Sequence, residues 1–171
     1  MKKRLNLLLS VCMATIVQSS CNKDHLTKDT HKGASTLSCK VDNKIFKPYS
    51  SEGIDLFVDH YPVLTVGNCR SSNRFDIYAR NQATDQNIFI EYSYISMTGV
   101  YKLREYAYRG IYDGGYADPG WYQTDSVYTG QLILTRCDTV NKIYSGTFSF
   151  TAKDYSGRIV QVTDGRFDLK E

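Results

Sequence analysis

Residues Tyr144 to Ala152 alternate without a break. Tyr144, Gly146, Phe148, Phe150 and Ala152 fall on one parity; Ser145, Thr147, Ser149 and Thr151 fall on the other. A period of two sends successive side chains to opposite faces, so the segment predicts an antiparallel strand with one dry face and one wet face. Ile88, Ile90, Tyr92 and Tyr94 repeat the pattern, as do Phe75, Ile77 and Ala79, then Leu132 and Leu134, then Val160 and Val162. Between Leu37 and Leu169 no window of useful length carries the 3.6-residue period of an amphipathic helix.

Turn chemistry separates these runs. Asp42-Asn43 precedes Lys44-Ile45-Phe46 in a short hairpin, Asp154-Tyr155-Ser156-Gly157 joins two strong strands, and Asp164-Gly165 punctuates a third pair before Phe167 and Leu169. The spacing predicts one all-β domain over residues 37–171, an antiparallel sandwich or barrel of about eight strands. A domain of this size buries about two thirds of its unfolded surface and needs no staple to hold one core.

The first twenty residues follow a different rule. Lys2, Lys3 and Arg4 precede an apolar run from Leu5 to Val17, broken by Asn6, Ser10 and Thr15, and the small residues Ser19 and Ser20 lead to Cys21. This predicts a signal peptide over residues 1–20, with cleavage before Cys21 and lipid on its sulfur. Gln18 stands where a lipobox usually carries Leu, Val or Ile, with Val17 one step earlier. The run is shorter than the roughly 20 residues that cross a bilayer. Two or three acyl chains would hold the mature protein firmly, where one would not. The expected location is the cell envelope, lipid-anchored to the outer membrane and facing the periplasm or the cell surface.

The leader also explains the charge. The chain has 21 basic and 18 acidic residues; removing Lys2, Lys3 and Arg4 leaves 18 of each. A neutral mature chain argues against nucleic acid as a partner. Asn22 to Thr36, nearly devoid of apolar residues, read with Cys21 as a flexible linker over residues 21–36. His25 and His31 fall in it and read as solvated, since a mobile segment must be ordered before it can chelate a metal.

Cys39, Cys69 and Cys137 remain once Cys12 and Cys21 are assigned to the signal and the lipid. Outside the cytoplasm thiols tend to oxidise, and the short separation favours a Cys39–Cys69 pairing. His60, the one histidine of the domain, follows Asp59 and precedes Tyr61-Pro62, a loop setting in which a catalytic Cys–His pair is not expected.

Between Tyr106 and Tyr128 lie six of the fourteen tyrosines and the single tryptophan. Gly110, Gly114, Gly115, Pro119 and Gly120 interrupt any strand there, which predicts a long loop. Tyr112, Tyr116, Trp121 and Tyr122 form the candidate binding surface, because such rings offer rigid area with a polar end to sugars or peptides. The alternative is that these rings fold back and cap the core. Asp113, Asp118 and Asp125 read as turn formers, their spacing matching no EF-hand loop. Asp113 and Glu91 are carboxylates without a spacing that singles out a catalytic pair. No cofactor or metal is implied.

Four segments carry a family resemblance: Cys39 to Phe46, Gly99 to Leu103, Ile143 to Ala152 and Val162 to Phe167. In order, and with the lipid cysteine and spacer ahead of them, they resemble a family of small Bacteroidota lipoproteins of unknown function that end in G-T-F-x-F-x-A … T-x-G-x-F. Cys137-Asp138 departs from that pattern, which has an apolar residue before the Asp. Asn22-Lys23-Asp24 resembles the Lys-acid tag that sends some lipoproteins of that phylum to the cell surface, with His25 where a second acid is usual. The resemblance implies a β fold and carries over no catalytic residue. The functional expectation is a non-catalytic binding or interaction lipoprotein. The alternatives are a structural or envelope-assembly lipoprotein without a small-molecule ligand, and a glycosidase-like hydrolase.

Overall fold

In a computed structural model the described residues are 26–28, 30–50, 64–69 and 74–171, with the side chains of 68 and 69 excepted. Cys21, His25 and His60 lie outside them. Eleven strands form: β1 (Thr36–Val41), β2 (Lys44–Phe46), β3 (Leu64–Cys69), β4 (Arg74–Asn81), β5 (Gln86–Tyr92), β6 (Gly99–Leu103), β7 (Tyr108–Asp113), β8 (Trp121–Gln123), β9 (Gly130–Asp138), β10 (Ile143–Lys153) and β11 (Ile159–Lys170). All named strands pair antiparallel.

The sheet branches at β10. Residues 143–150 of β10 pair with β9, which pairs with β6, whereas Lys153 at its far end pairs with Gln123 of β8. One sheet thereby folds into two layers. The first runs β2-β1-β11-β10-β9-β6 and the second runs β3-β4-β5-β7-β8. Phe75 of β4 meets Tyr144 of β10 edge to face at 5.4 Å, and Tyr92 of β5 meets Tyr101 of β6 at 5.0 Å. The expected all-β, sandwich-like domain is therefore present, with eleven strands rather than about eight. Two of the extra ones, β7 and β8, arise inside the stretch expected to be a loop.

The alternation holds where it was read. Tyr144, Gly146, Phe148, Phe150 and Ala152 are buried, as are Phe75, Ile77, Ala79, Ile88, Ile90, Leu132, Leu134, Val160 and Val162. Tyr94 departs: it lies beyond the end of β5 and is exposed. Asp164-Gly165 also departs, being no turn but a bulge within β11. Gly165 pairs with Phe148 and Val162 pairs with Phe150, so Ser149 alone faces Thr163 and Asp164. Asp164 takes φ 52° to make room. The extra residue shifts the buried parity from Val160 and Val162 to Gly165, Phe167 and Leu169.

The segment ahead of β1, read as a flexible linker, is docked from Leu26 onward. Leu26 is buried, and the Thr27 amide donates to Ser38 Oγ at 2.8 Å. Asp168 anchors the rest: its carboxylate accepts from Lys32 N at 3.0 Å, Gly33 N at 2.7 Å and Ser145 Oγ at 2.8 Å, and from Thr30 Oγ1. Arg136 donates to the His31 carbonyl, and His31 Nδ1 lies 3.4 Å from Thr135 Oγ1. His31 is exposed, as expected, but its backbone belongs to a docked strap and not to a free linker. The strap crosses β1, β11, β10 and β9 along the outward row Thr36, Asp168, Ser145 and Arg136.

Burial alone would push the Asp168 carboxyl up; the hydrogen bonds from Thr30, Lys32, Gly33 and Ser145 outweigh it and hold the group well below the usual carboxylate range. Replacing Asp168 with Ala should cost at least about 2 kcal/mol and raise hydrogen exchange at the Lys32 and Gly33 amides. A depressed native pKa stabilises above the unfolded value near about 3.9 and loses that contribution as pH falls through the native value. The urea midpoint of the unaltered protein should therefore drop further on acidification than that of Asp168→Asn. Equal drops would show that Asp168 does not anchor the strap.

Candidate functional site

The four candidate aromatics separate by parity. β7 and β8 are the two arms of a hairpin, with Tyr112 opposite Tyr122 and Asp113 opposite Trp121. Tyr112 and Tyr122 point inward and are each 3% exposed; Trp121 lies on the outer face at 48%, and Tyr116 in the turn at 75%. The predicted surface is therefore half core: Tyr112 and Tyr122 cap the interior, and Trp121 and Tyr116 remain available. Burial pushes the phenols of Tyr112 and Tyr122 up to about 12.

Gly110, read as a strand breaker, sits in β7 for a packing reason. A Cβ there would lie 2.7 Å from the Phe150 ring on the facing layer, so only glycine lets the layers close. The turn beyond is tied down as well. Asp113 Oδ1 accepts from Gly115 N at 3.1 Å, and Tyr116 N donates to the Thr84 carbonyl at 3.1 Å. Asp118 accepts from Tyr122 Oη at 2.7 Å and from Arg158 Nη1 at 2.6 Å. Arg158 also reaches Asp154 at 2.7 Å and stands 5.4 Å from the centre of the Tyr122 ring. This network locks the β7–β8 turn to the β10–β11 hairpin. Asp125 accepts from Val127 N and Tyr128 N, both at 2.7 Å. All three aspartates thus have local partners in turns.

Around Trp121 the outer face of the second layer is built in rows. Arg80, Asn87, Asp113 and Trp121 stand side by side; next come Tyr78, Phe89, Ile111 and Gln123, then Asp76, Glu91 and Arg109. Tyr78 meets Phe89 edge to face at 6.1 Å, and Ile111 is buried among the outward row although it belongs to no part of the central core. Tyr78 Oη donates to Asn87 Oδ1 at 2.9 Å, and Asn87 Nδ2 donates to Asp113 Oδ2 at 3.2 Å. The face is thus an aromatic and aliphatic band framed by fixed polar groups. No spacing marked Tyr78 and Phe89 as site residues in the sequence; the signal was their parity, opposite to that of Ile77, Ala79, Ile88 and Ile90.

Glu91 is nearly buried and ion-paired to Arg74 at 3.2 Å and to Arg109. Register puts it four residues along the pairing from Asp113, about 13 Å at the strand rise of roughly 3.3 Å per residue. That exceeds the separations of about 5–9.5 Å used by paired glycosidase carboxylates. Cys39 is a free, fully buried thiol in the core, whereas the sequence reading paired it with Cys69; of Cys69 the backbone alone is described, at the end of β3 opposite Arg74. Burial pushes the Cys39 thiol well up. Cys137 is also free and half-buried.

Comparison with family models, curated proteins and solved structures finds no match.

The parity split has a direct test. Tyr122→Ala should cost about 3–5 kcal/mol, as for other large buried aromatics, while Trp121→Ala should stay within about 1 kcal/mol. Chemical denaturation of the two variants measures both, and equal losses would refute the assignment of Trp121 to the outer face.

Proposed function

We propose that this protein is a lipid-anchored, non-catalytic binding module of the cell envelope. The observation that carries the reading is Trp121: the one tryptophan stands half exposed on the outer face of the second layer, beside a band of Tyr78, Phe89 and Ile111. Large rings with a polar frame suit a sugar ring or a peptide side chain. Tyr116 lies at the end of the same hairpin and extends the surface. The leader ending at Cys21 and the resemblance to Bacteroidota lipoproteins support the anchor and the envelope location.

Two measurements test the two halves of the proposal. Cys21→Ser should move the protein from the membrane fraction to the soluble fraction; continued membrane retention with unchanged processing would remove the anchor. On a glycan and peptide array, ligands held by the unaltered protein should be lost by at least tenfold in Trp121→Ala, with the fold intact by circular dichroism. An array on which Trp121→Ala matches the unaltered protein would remove the binding surface.

A further inference from the structure

The bulge in β11 has a second effect on the other side of the molecule. On the outer face of the first layer, Thr163, Asp164 and Arg166 of β11 border a hollow of about 410 Å³ with Thr147 and Ser149 of β10 and Gln131 of β9. A second hollow of about 490 Å³ adjoins it, sharing Ser149 and Gln131 and reaching Lys102 and Arg104. The two make one groove across β11, β10, β9 and β6. Its floor is a lateral row in register, Ser149 opposite Gln131 opposite Lys102. Three inter-strand spacings make it about 14 Å long, room for a short chain rather than one ring.

The lining is of two kinds. Thr147, Ser149, Thr163 and Gln131 have side chains with no hydrogen-bond partner among the described residues. Lys102, Arg104 and Arg166 likewise have no ion-pair partner among them. The other described arginines are all ion-paired: Arg80 with Asp85, Arg74 and Arg109 with Glu91, Arg136 with Asp138, and Arg158 with Asp118 and Asp154. The one acid of the groove, Asp164, is matched by Lys40 at 2.9 Å. Lys102, Arg104 and Arg166 thus stand together without an ion-pair partner among the described residues, beside hydroxyl and amide groups that likewise have none there.

We infer that this groove binds an acidic oligosaccharide. The cations would meet the sugar carboxylates by charge-assisted hydrogen bonds, and the hydroxyl and amide groups would exchange hydrogen bonds with sugar hydroxyls. An acidic peptide would use the cations but leave the hydroxyl row idle. The site lies on the layer opposite Trp121 and stands or falls separately from that face.

The test is titration calorimetry of the purified protein with oligogalacturonate, with maltooligosaccharide of equal length and polyglutamate as comparators. Oligogalacturonate should bind, more weakly as salt rises. Lys102→Ala, Arg104→Ala and Arg166→Ala should each weaken it about tenfold, while Lys170→Ala, outside the groove, should not. Thr147→Val should weaken oligogalacturonate and leave polyglutamate unchanged. Circular dichroism confirms that each variant is folded. Equal binding of maltooligosaccharide, equal binding of polyglutamate, or indifference to the three cation variants would each overturn the inference.

Discussion

The bulge at Thr163 and Asp164 lets one strand serve the core along its whole length. β11 has twelve residues and lies between β1 and β10, so an error in its parity would be copied to both neighbours. Cys39 on one side and Ser149 on the other each leave a β11 residue unpaired there. Without the extra residue, Phe167 and Leu169 would turn toward water and Arg166 and Asp168 toward the core. Each large apolar side chain so exposed forfeits about 1.5–3 kcal/mol, and a buried unpaired charge costs more. The same device recurs on β9, where the register shifts between Leu134 and Arg136 and Cys137 is brought back against the core.

Once parity is fixed, the two outer faces follow and differ in kind. On the second layer the charges are cross-linked: Glu91 holds two arginines, and Asn87 joins Tyr78 to Asp113. That bonding stiffens the surface around Trp121 and leaves little free charge on it. On the first layer one end is sealed by the strap over Asp168, while the other end is open, with hydroxyls and cations that have no partner among the described residues. A rigid aromatic face and an open polar groove thus occupy opposite sides of one core.

The strands with an uninterrupted two-residue period were legible because each one's fate depends on its own residues. Tyr144 to Ala152 and Phe75 to Ala79 needed no knowledge of a partner. What escaped were features set by contacts far apart in sequence. Gly110 looked like a strand breaker because the reason for glycine is the Phe150 ring, forty residues on. Asp164-Gly165 looked like a turn because turns and bulges use the same residues for the same backbone freedom. Of the site, Trp121 was legible as an unusual residue in an aromatic stretch; Tyr112 and Tyr122 were indistinguishable from it until the β7–β8 pairing gave them the opposite parity. The strap was illegible because its residues are polar and its partner, Asp168, lies at the other end of the chain.

Under the lipid-anchor reading, that strap sets the length of the leash. A tether free up to Thr36 would span fifteen residues and reach about 50 Å from Cys21. With Leu26 already held against the domain, five steps remain, about 17 Å at full extension. The domain would then ride within a fraction of its own diameter from the bilayer, with its freedom to tumble curtailed. Reach would no longer come from the linker. A ligand would have to approach the membrane surface, or be part of it, before either face of the domain could meet it.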